Sequence, residues 1–166
     1  NGKGSPFAAS ANANRGWNGT LHYSTMTNGQ LAGYGFFGAG CAGSLGISRL
    51  STSGPPVLGS TMTVTANNLP QSIAIMMTGS SRTVSPFGPL PISATPFGAP
   101  GCFGRVSPDA TTVLFGASNT APWVFNTPTF AGLIGLELFN QPLSLDPGFN
   151  ALGGTFGDAH AMVLGN

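Results

Sequence analysis

The sequence predicts an all-β fold, an antiparallel β-sandwich of jelly-roll-like kind with an N-terminal extension. Three observations predict it: short segments alternate with period 2, Gly/Pro-rich turn signals separate them, and no helix-length window free of Gly and Pro carries a helical apolar period. In residues 60–66 (STMTVTA), Met62, Val64 and Ala66 alternate with Thr61, Thr63 and Thr65, as a strand with one buried face requires. Residues 67–70 (NNLP) then turn the chain into 72–78 (SIAIMMT), and the two segments read as a hairpin. Further strands are expected at 103–106, 111–115, 133–139 and 160–164, and 122–125 (PWVF) alternates like a core strand. Proline-rich connectors lie between them, at 85–91 (SPFGPLP) and 95–100 (TPFGAP).

Residues 1–37 differ from the rest. They hold three Asn-Gly pairs, both tyrosines and no acid. Residues 19–26 can form a strand, with Leu21, Tyr23 and Thr25 on one face and His22 and Ser24 on the other. The division expected is an N-terminal arm over 1–37 and a β-sandwich domain over 38–166. At 166 residues one domain is the default, and such a chain buries about 68–70% of its unfolded surface.

The charge content excludes more than it suggests. The chain carries five Lys+Arg and four Asp+Glu, which is 5% of residues, against about 25% in ordinary soluble domains. Five scattered cations cannot neutralise a run of phosphates, so no nucleic-acid partner is expected. With 41% hydrophobic residues, disorder is excluded as well. The most apolar stretch, 130–136, is broken by Gly132 and Gly135, far from the roughly 20 apolar residues of a membrane span. The first four residues, Asn-Gly-Lys-Gly, lack the apolar core of a signal peptide, as in a mature chain whose leader has been removed.

Cys41 and Cys102 each sit in a Gly-rich turn. An even cysteine count in a Lys-poor, Ser/Thr/Asn-rich chain favours a disulfide formed in an oxidising compartment, and two buried thiols acting as small hydrophobes are the other reading. Two cysteines with no neighbouring histidine cannot fill a metal site.

Other constellations point to turns and solvated strand ends more than to chemistry. Gly33, Gly35 and Gly38, and again Gly38, Gly40 and Gly43, match GxGxxG, yet no helix follows and the next acid is Asp109. A hydrolase would draw a base from His22 or His160 and an orienting acid from Asp109, Asp146 or Asp158. Asp158 and His160 are i, i+2 neighbours, but no GxSxG elbow supplies a nucleophile. Glu137 with Asp146 could form a glycosidase pair, whereas Asp146-Pro147-Gly148 is more economically an Asx-turn. No DxDxDG cluster offers calcium its oxygens. Glu137 either pairs with Arg49, Arg82 or Arg105 on a buried face or, as preferred, is solvated on an outer one. The expectation is therefore no enzyme, no cofactor and no metal. Trp17 and Trp123, with Tyr23 and Tyr34, are candidates for a sugar platform, although aromatics are more often core. Asn18-Gly19-Thr20 is a glycosylation sequon.

From about Phe37 onward, five landmarks occur in order: 38–44 (GAGCAGS), 54–64 (GPPVLGSTMTV), 100–103 (PGCF), 135–141 (GLELFNQ) and 145–148 (LDPG). In these the chain resembles a secreted bacterial β-domain found at the C-termini of large planctomycete and myxobacterial surface proteins. The resemblance implies an extracellular β-sandwich with Cys41 and Cys102 bridged, serving as a surface module without known catalysis. Asp158 and His160 depart from that pattern, where small polar residues are usual.

The functional expectation is a secreted structural protein of the cell surface. It would self-associate as a homo-oligomer or homopolymer in a filament, sheath or surface layer, with segment 19–26 (Gly19, Leu21, Tyr23, Thr25) donated to a neighbour's sheet. The alternative is a carbohydrate-binding or adhesion module, with glycan as ligand or as modification at Asn18.

Overall fold

The computed structural model describes residues 31–166, and no α-helix occurs among the described residues. The strands are β1 (Gly33–Gly38), β2 (Ala42–Gly43), β3 (Gly46–Ile47), β4 (Arg49–Thr52), β5 (Thr61–Asn67), β6 (Ile73–Gly79), β7 (Val84–Ser85) and β8 (Gly88–Pro89). They continue with β9 (Ile92–Ser93), β10 (Phe103–Gly104), β11 (Ala110–Phe115), β12 (Thr120–Asn126), β13 (Glu137–Leu145), β14 (Gly154–Phe156) and β15 (Ala159–Val163). Single 3-10 turns lie at Thr95–Phe97 and Ala131–Leu133.

The larger sheet runs β1-β15-β13-β6-β11, with β14 paired to β13, and the smaller runs β12-β5-β4. All these pairings are antiparallel. The core takes Leu50, Met62, Val64, Ala66 and Ala121 from the smaller sheet and Ala74, Met76, Leu114 and Met162 from the larger. The fold is thus all-β, with two antiparallel sheets sharing one apolar layer. In β5 the alternation is realised as read: Met62, Val64 and Ala66 are buried, and the threonines point away. A fully buried methionine or valine such as Met62 or Val64 stabilises the fold by about 1.5–3 kcal/mol.

Three readings need correction. The segments around 60–66 and 72–78 are both strands, but they do not form a hairpin, because β5 lies in the smaller sheet and β6 in the larger. Both carry a buried apolar face, and placing them in opposite layers lets those faces bury each other. The link between them is an arch with Asn68 and Ser72 at φ 59° and 53° and Leu69 fully buried in the core. Leu69 N–H donates to Asn119 O at 2.9 Å, Asn119 Nδ2 donates back to Leu69 O at 3.1 Å, and Asn119 N–H reaches Ser72 Oγ at 2.9 Å. The arch therefore interlocks with the β11–β12 connection, which crosses between the same two sheets.

The strand expected at 133–139 runs instead over Glu137–Leu145, with Ala131–Leu133 in a 3-10 turn. Pro142, inside this strand, has no amide to donate to a ladder. It falls where the partner of β13 changes from β15 (at Glu137 to Asn140) to β14 (at Leu143 to Leu145), so that ladder is already interrupted there. The strand expected at 103–106 is only Phe103–Gly104. β1 pairs with β15 in the larger sheet, so Gly33 to Phe36, near the end of the 1–37 stretch, lie in that sheet.

The two faces of the larger sheet are covered differently. The smaller sheet covers one. The other is partly covered by an excursion, residues 80–108, that carries the small ribbons β7-β8 and β9-β10. Covered on both sides, the middle of β13 is buried from Phe139 through Pro142.

Candidate functional site

Most of the polar side chains that stand out in the sequence anchor loops. Cys41 and Cys102 are bridged, with Cα atoms 5.0 Å apart, and the bridge packs with Ala94, Ala99, Leu152 and Phe156. Asp146 is buried and takes Ser44 N–H at 2.7 Å and Ser44 Oγ at 3.0 Å. Its carboxylate thus holds a turn 102 residues away, where an Asx-turn is the sequence reading. Asp158 accepts from Gly40 N–H at 2.9 Å. The Gly-rich turn must lie flat to make these contacts: a Cβ at Gly40 would meet the Gly157 backbone at 2.4 Å, and one at Gly43 would meet Asp146 Oδ2 at 2.7 Å. Asp109 accepts from Ser80 N–H at 2.8 Å and from the hydroxyls of Ser80 and Ser107. Those bonds, Ser107 first, hold its carboxyl below the ordinary aspartate value. Glu137 is exposed at the start of β13, the solvated reading.

Sequence reasoning passed over Gln141 except as part of a motif. Its side chain is fully buried. Oε1 accepts from Arg105 N–H at 2.7 Å, and Nε2 donates to Phe103 O at 3.1 Å and Gly157 O at 2.9 Å. It joins the excursion to the sheet. A buried amide in the strand position of a hydrophobe is the signal that could have found it.

Among the described residues the hydrolytic constellation is not assembled. Asp158 is engaged with Gly40, and His160 Nδ1 is buried without a hydrogen-bond partner. The imidazole stacks on Tyr34 at 5.1 Å and meets the edge of Phe36 at 6.0 Å, with Asn140 opposite on β13. Burial pushes its pKa below the ordinary histidine value, and the Asp158 charge partly offsets this. A group whose folded pKa is lowered in this way binds its proton less readily than in the unfolded chain. Its stability is complete above the unfolded value of about 6.5 and is lost as pH falls below it. The melting temperature is expected to fall between about pH 7.5 and 5.5, and His160→Gln to flatten that slope. Equal slopes in calorimetry would contradict the assignment. Among the described residues, no three of His, Cys, Asp and Glu group together as a metal site would.

Trp123 lies on β12 opposite Val64. Its indole is half-buried against the core, with Phe125 at 5.3 Å. Tyr34 also packs on the core, with its hydroxyl buried. Trp17, Asn18, Gly19, Leu21, His22, Tyr23 and Thr25 lie outside the described residues.

What the surface does present is carbon and an open sheet edge. Among the described residues thirteen large hydrophobic side chains are exposed, including Phe36, Phe115, Phe130 and Phe149 at 61%, 71%, 69% and 49%. Two of the cations are themselves laid on aromatics: Arg82 sits over Phe37 and Phe139 at 5.6 and 5.7 Å, and Arg105 over Phe103 at 5.8 Å.

Open edges are ordinarily guarded by charge, proline, bulges or shortness. β1 is glycine-rich and bulged between Phe36 and Gly38. β4 has four residues and a charge, Arg49. β12 contains Pro122. β14 has three residues, and Cys41 N–H caps it at Phe156 O. β11 has no such guard: ATTVLF carries no Gly, Pro or charge, pairs with β6 without a register break, and is exposed at all but Leu114. Its Val113 begins a row of directly paired apolar residues across the outer face, Val113–Ile75–Leu143–Phe156.

Compared with known proteins, the chain matches no family model, no curated protein and no solved structure.

Proposed function

We propose that the chain is a non-enzymatic structural protein of the cell surface, a subunit that associates with copies of itself in an extracellular filament, sheath or layer. The observation that carries this reading is the unguarded edge of β11. Six uncharged residues, four of them β-prone, offer their outward backbone groups to a further strand. The nine charges on the whole chain supply little repulsion to keep copies apart. The incoming strand is segment 19–26 of a neighbour, whose Leu21, Tyr23 and Thr25 face would extend the apolar outer face that Val113 and Phe115 present. The disulfide is compatible with an extracellular protein, and no helix among the described residues is long and apolar enough to cross a membrane. The resemblance to secreted bacterial surface domains agrees with this reading, and a glycan on Asn18 would cover further surface.

Lysine at Val113, which is 52% exposed, would place a charge on the joint without touching the core. Sedimentation velocity is expected to show wild-type oligomers and to show Val113→Lys weakened about tenfold or more, at an unchanged melting temperature. Identical sedimentation of the two would overturn the edge assignment. Tyr23→Pro, which removes an amide from the donated strand, is expected to act in the same direction. If it has no effect while Val113→Lys does, copies meet edge to edge and the donated arm is wrong.

A further inference from the structure

We propose that the cleft between the excursion and the outer face of the larger sheet is a binding site for a small, uncharged, apolar molecule. The cleft has a volume of about 380 Å³, within the range of small-molecule sites. Met77 of β6 and Phe156 of β14 come from the sheet, and Ile92 and Val106 from the excursion. Phe87 and Phe97 also line it and are 78% and 63% exposed, an exposure that contact with a bound molecule would relieve.

The lining defines the ligand. It contains no charged side chain. Its two hydroxyls are already committed, Ser85 Oγ to Gly88 O at 3.0 Å and Ser93 Oγ to Thr95 Oγ1 at 2.9 Å. A polypeptide strand entering here would bring backbone N–H and C=O groups with almost nothing to pair them, at a cost of about 1–3 kcal/mol each. An apolar ring system or chain carries no such cost and gains from every carbon it covers.

The walls are held apart by bonds that do not depend on a ligand. The disulfide fixes the excursion at Cys102, Gln141 fixes it at Phe103 and Arg105, and Asp109 fixes its two ends at Ser80 and Ser107. Ala151 N–H to Gly98 O at 3.3 Å ties it to the neighbouring loop. A pre-formed apolar site keeps the ordering cost of binding low.

The test uses the full chain and N-phenyl-1-naphthylamine, an uncharged fluorophore that brightens in apolar surroundings. Saturable binding of one probe per chain is expected, with competitive displacement by 1-decanol. Gly104 offers the blocking variant: an added Cβ would lie 3.7 Å from Phe156 Cε1, an ordinary contact, so Gly104→Leu should fill the cleft without disturbing the backbone. It is expected to weaken the probe about tenfold or more at an unchanged melting temperature. Phe97→Ser, at an exposed position, is expected to weaken it in the same direction. Absence of saturable binding, or binding that both variants leave unchanged, would overturn the proposal. So would tighter probe binding on Leu21→Asp, because the N-terminal arm would then be the occupant.

Discussion

Serine at both Cys41 and Cys102 is expected to lower the unfolding free energy by about 4 kcal/mol, as the chain-entropy cost of freeing a loop of this length. The bridge spans 61 residues and is the one covalent tie between the Gly-rich turn and the end of the excursion. Both sulfurs also pack in a small cluster with Ala94, Ala99, Leu152 and Phe156, apart from the main core. The loss should therefore fall unevenly. Hydrogen exchange is expected to accelerate through 80–108 and 38–44, while the β5 and β6 amides change only with global stability. Urea unfolding of the oxidised wild type beside the double serine variant gives the magnitude. A difference under about 1 kcal/mol would show that the hydrogen bonds alone hold the excursion.

Gln141→Leu is expected to cost about 3 kcal/mol or more, although leucine is of similar size and more apolar. The variant leaves Arg105 N–H, Phe103 O and Gly157 O without the side-chain partner they have now. Each buried backbone group left unpaired costs about 1–3 kcal/mol. The hydrophobic gain of a buried leucine, about 1.5–3 kcal/mol, offsets only part of that. Gln141→Glu separates the two halves of the amide: it keeps the acceptor for Arg105 but loses both donated bonds and buries a carboxylate. It should be no more stable than the leucine variant at neutral pH and should recover on acidification. If Gln141→Leu unfolds at the wild-type urea midpoint, the staple carries no stability.

How much of this was legible in the sequence depends on the physical signal each element carries. β5, β6, β11 and β15 were readable because side-chain alternation and flanking turns are local properties of the chain. Their assignment to sheets was not. Period 2 reports that Met62 and Met76 each face a core but not that they face it from opposite sides. Leu69, between Asn68 and Pro70, looks like a turn residue until its burial is seen. β4 escaped notice because three of its four residues are exposed, so no alternation marks it. The aspartates were visible as candidates, yet their targets, Ser44 for Asp146 and Gly40 for Asp158, lie more than 100 residues away. The cleft could not be read at all, since it brings residues 77 and 156 against a Pro/Gly-rich connector. The low charge content, by contrast, was fully legible, and among the described residues it goes with exposed large hydrophobics and an edge strand, β11, that carries no charge.

That edge is open to direct measurement. Hydrogen exchange of the assembled wild type, beside Val113→Lys kept dissociated at low concentration, reads the amides of Ala110–Phe115 one peptide at a time. Strand addition at β11 predicts slower exchange there on assembly, together with protection of residues 19–26 and little change along β1, β4 and β12. Assembly that leaves the 110–115 amides exchanging at their dissociated rate would contradict it.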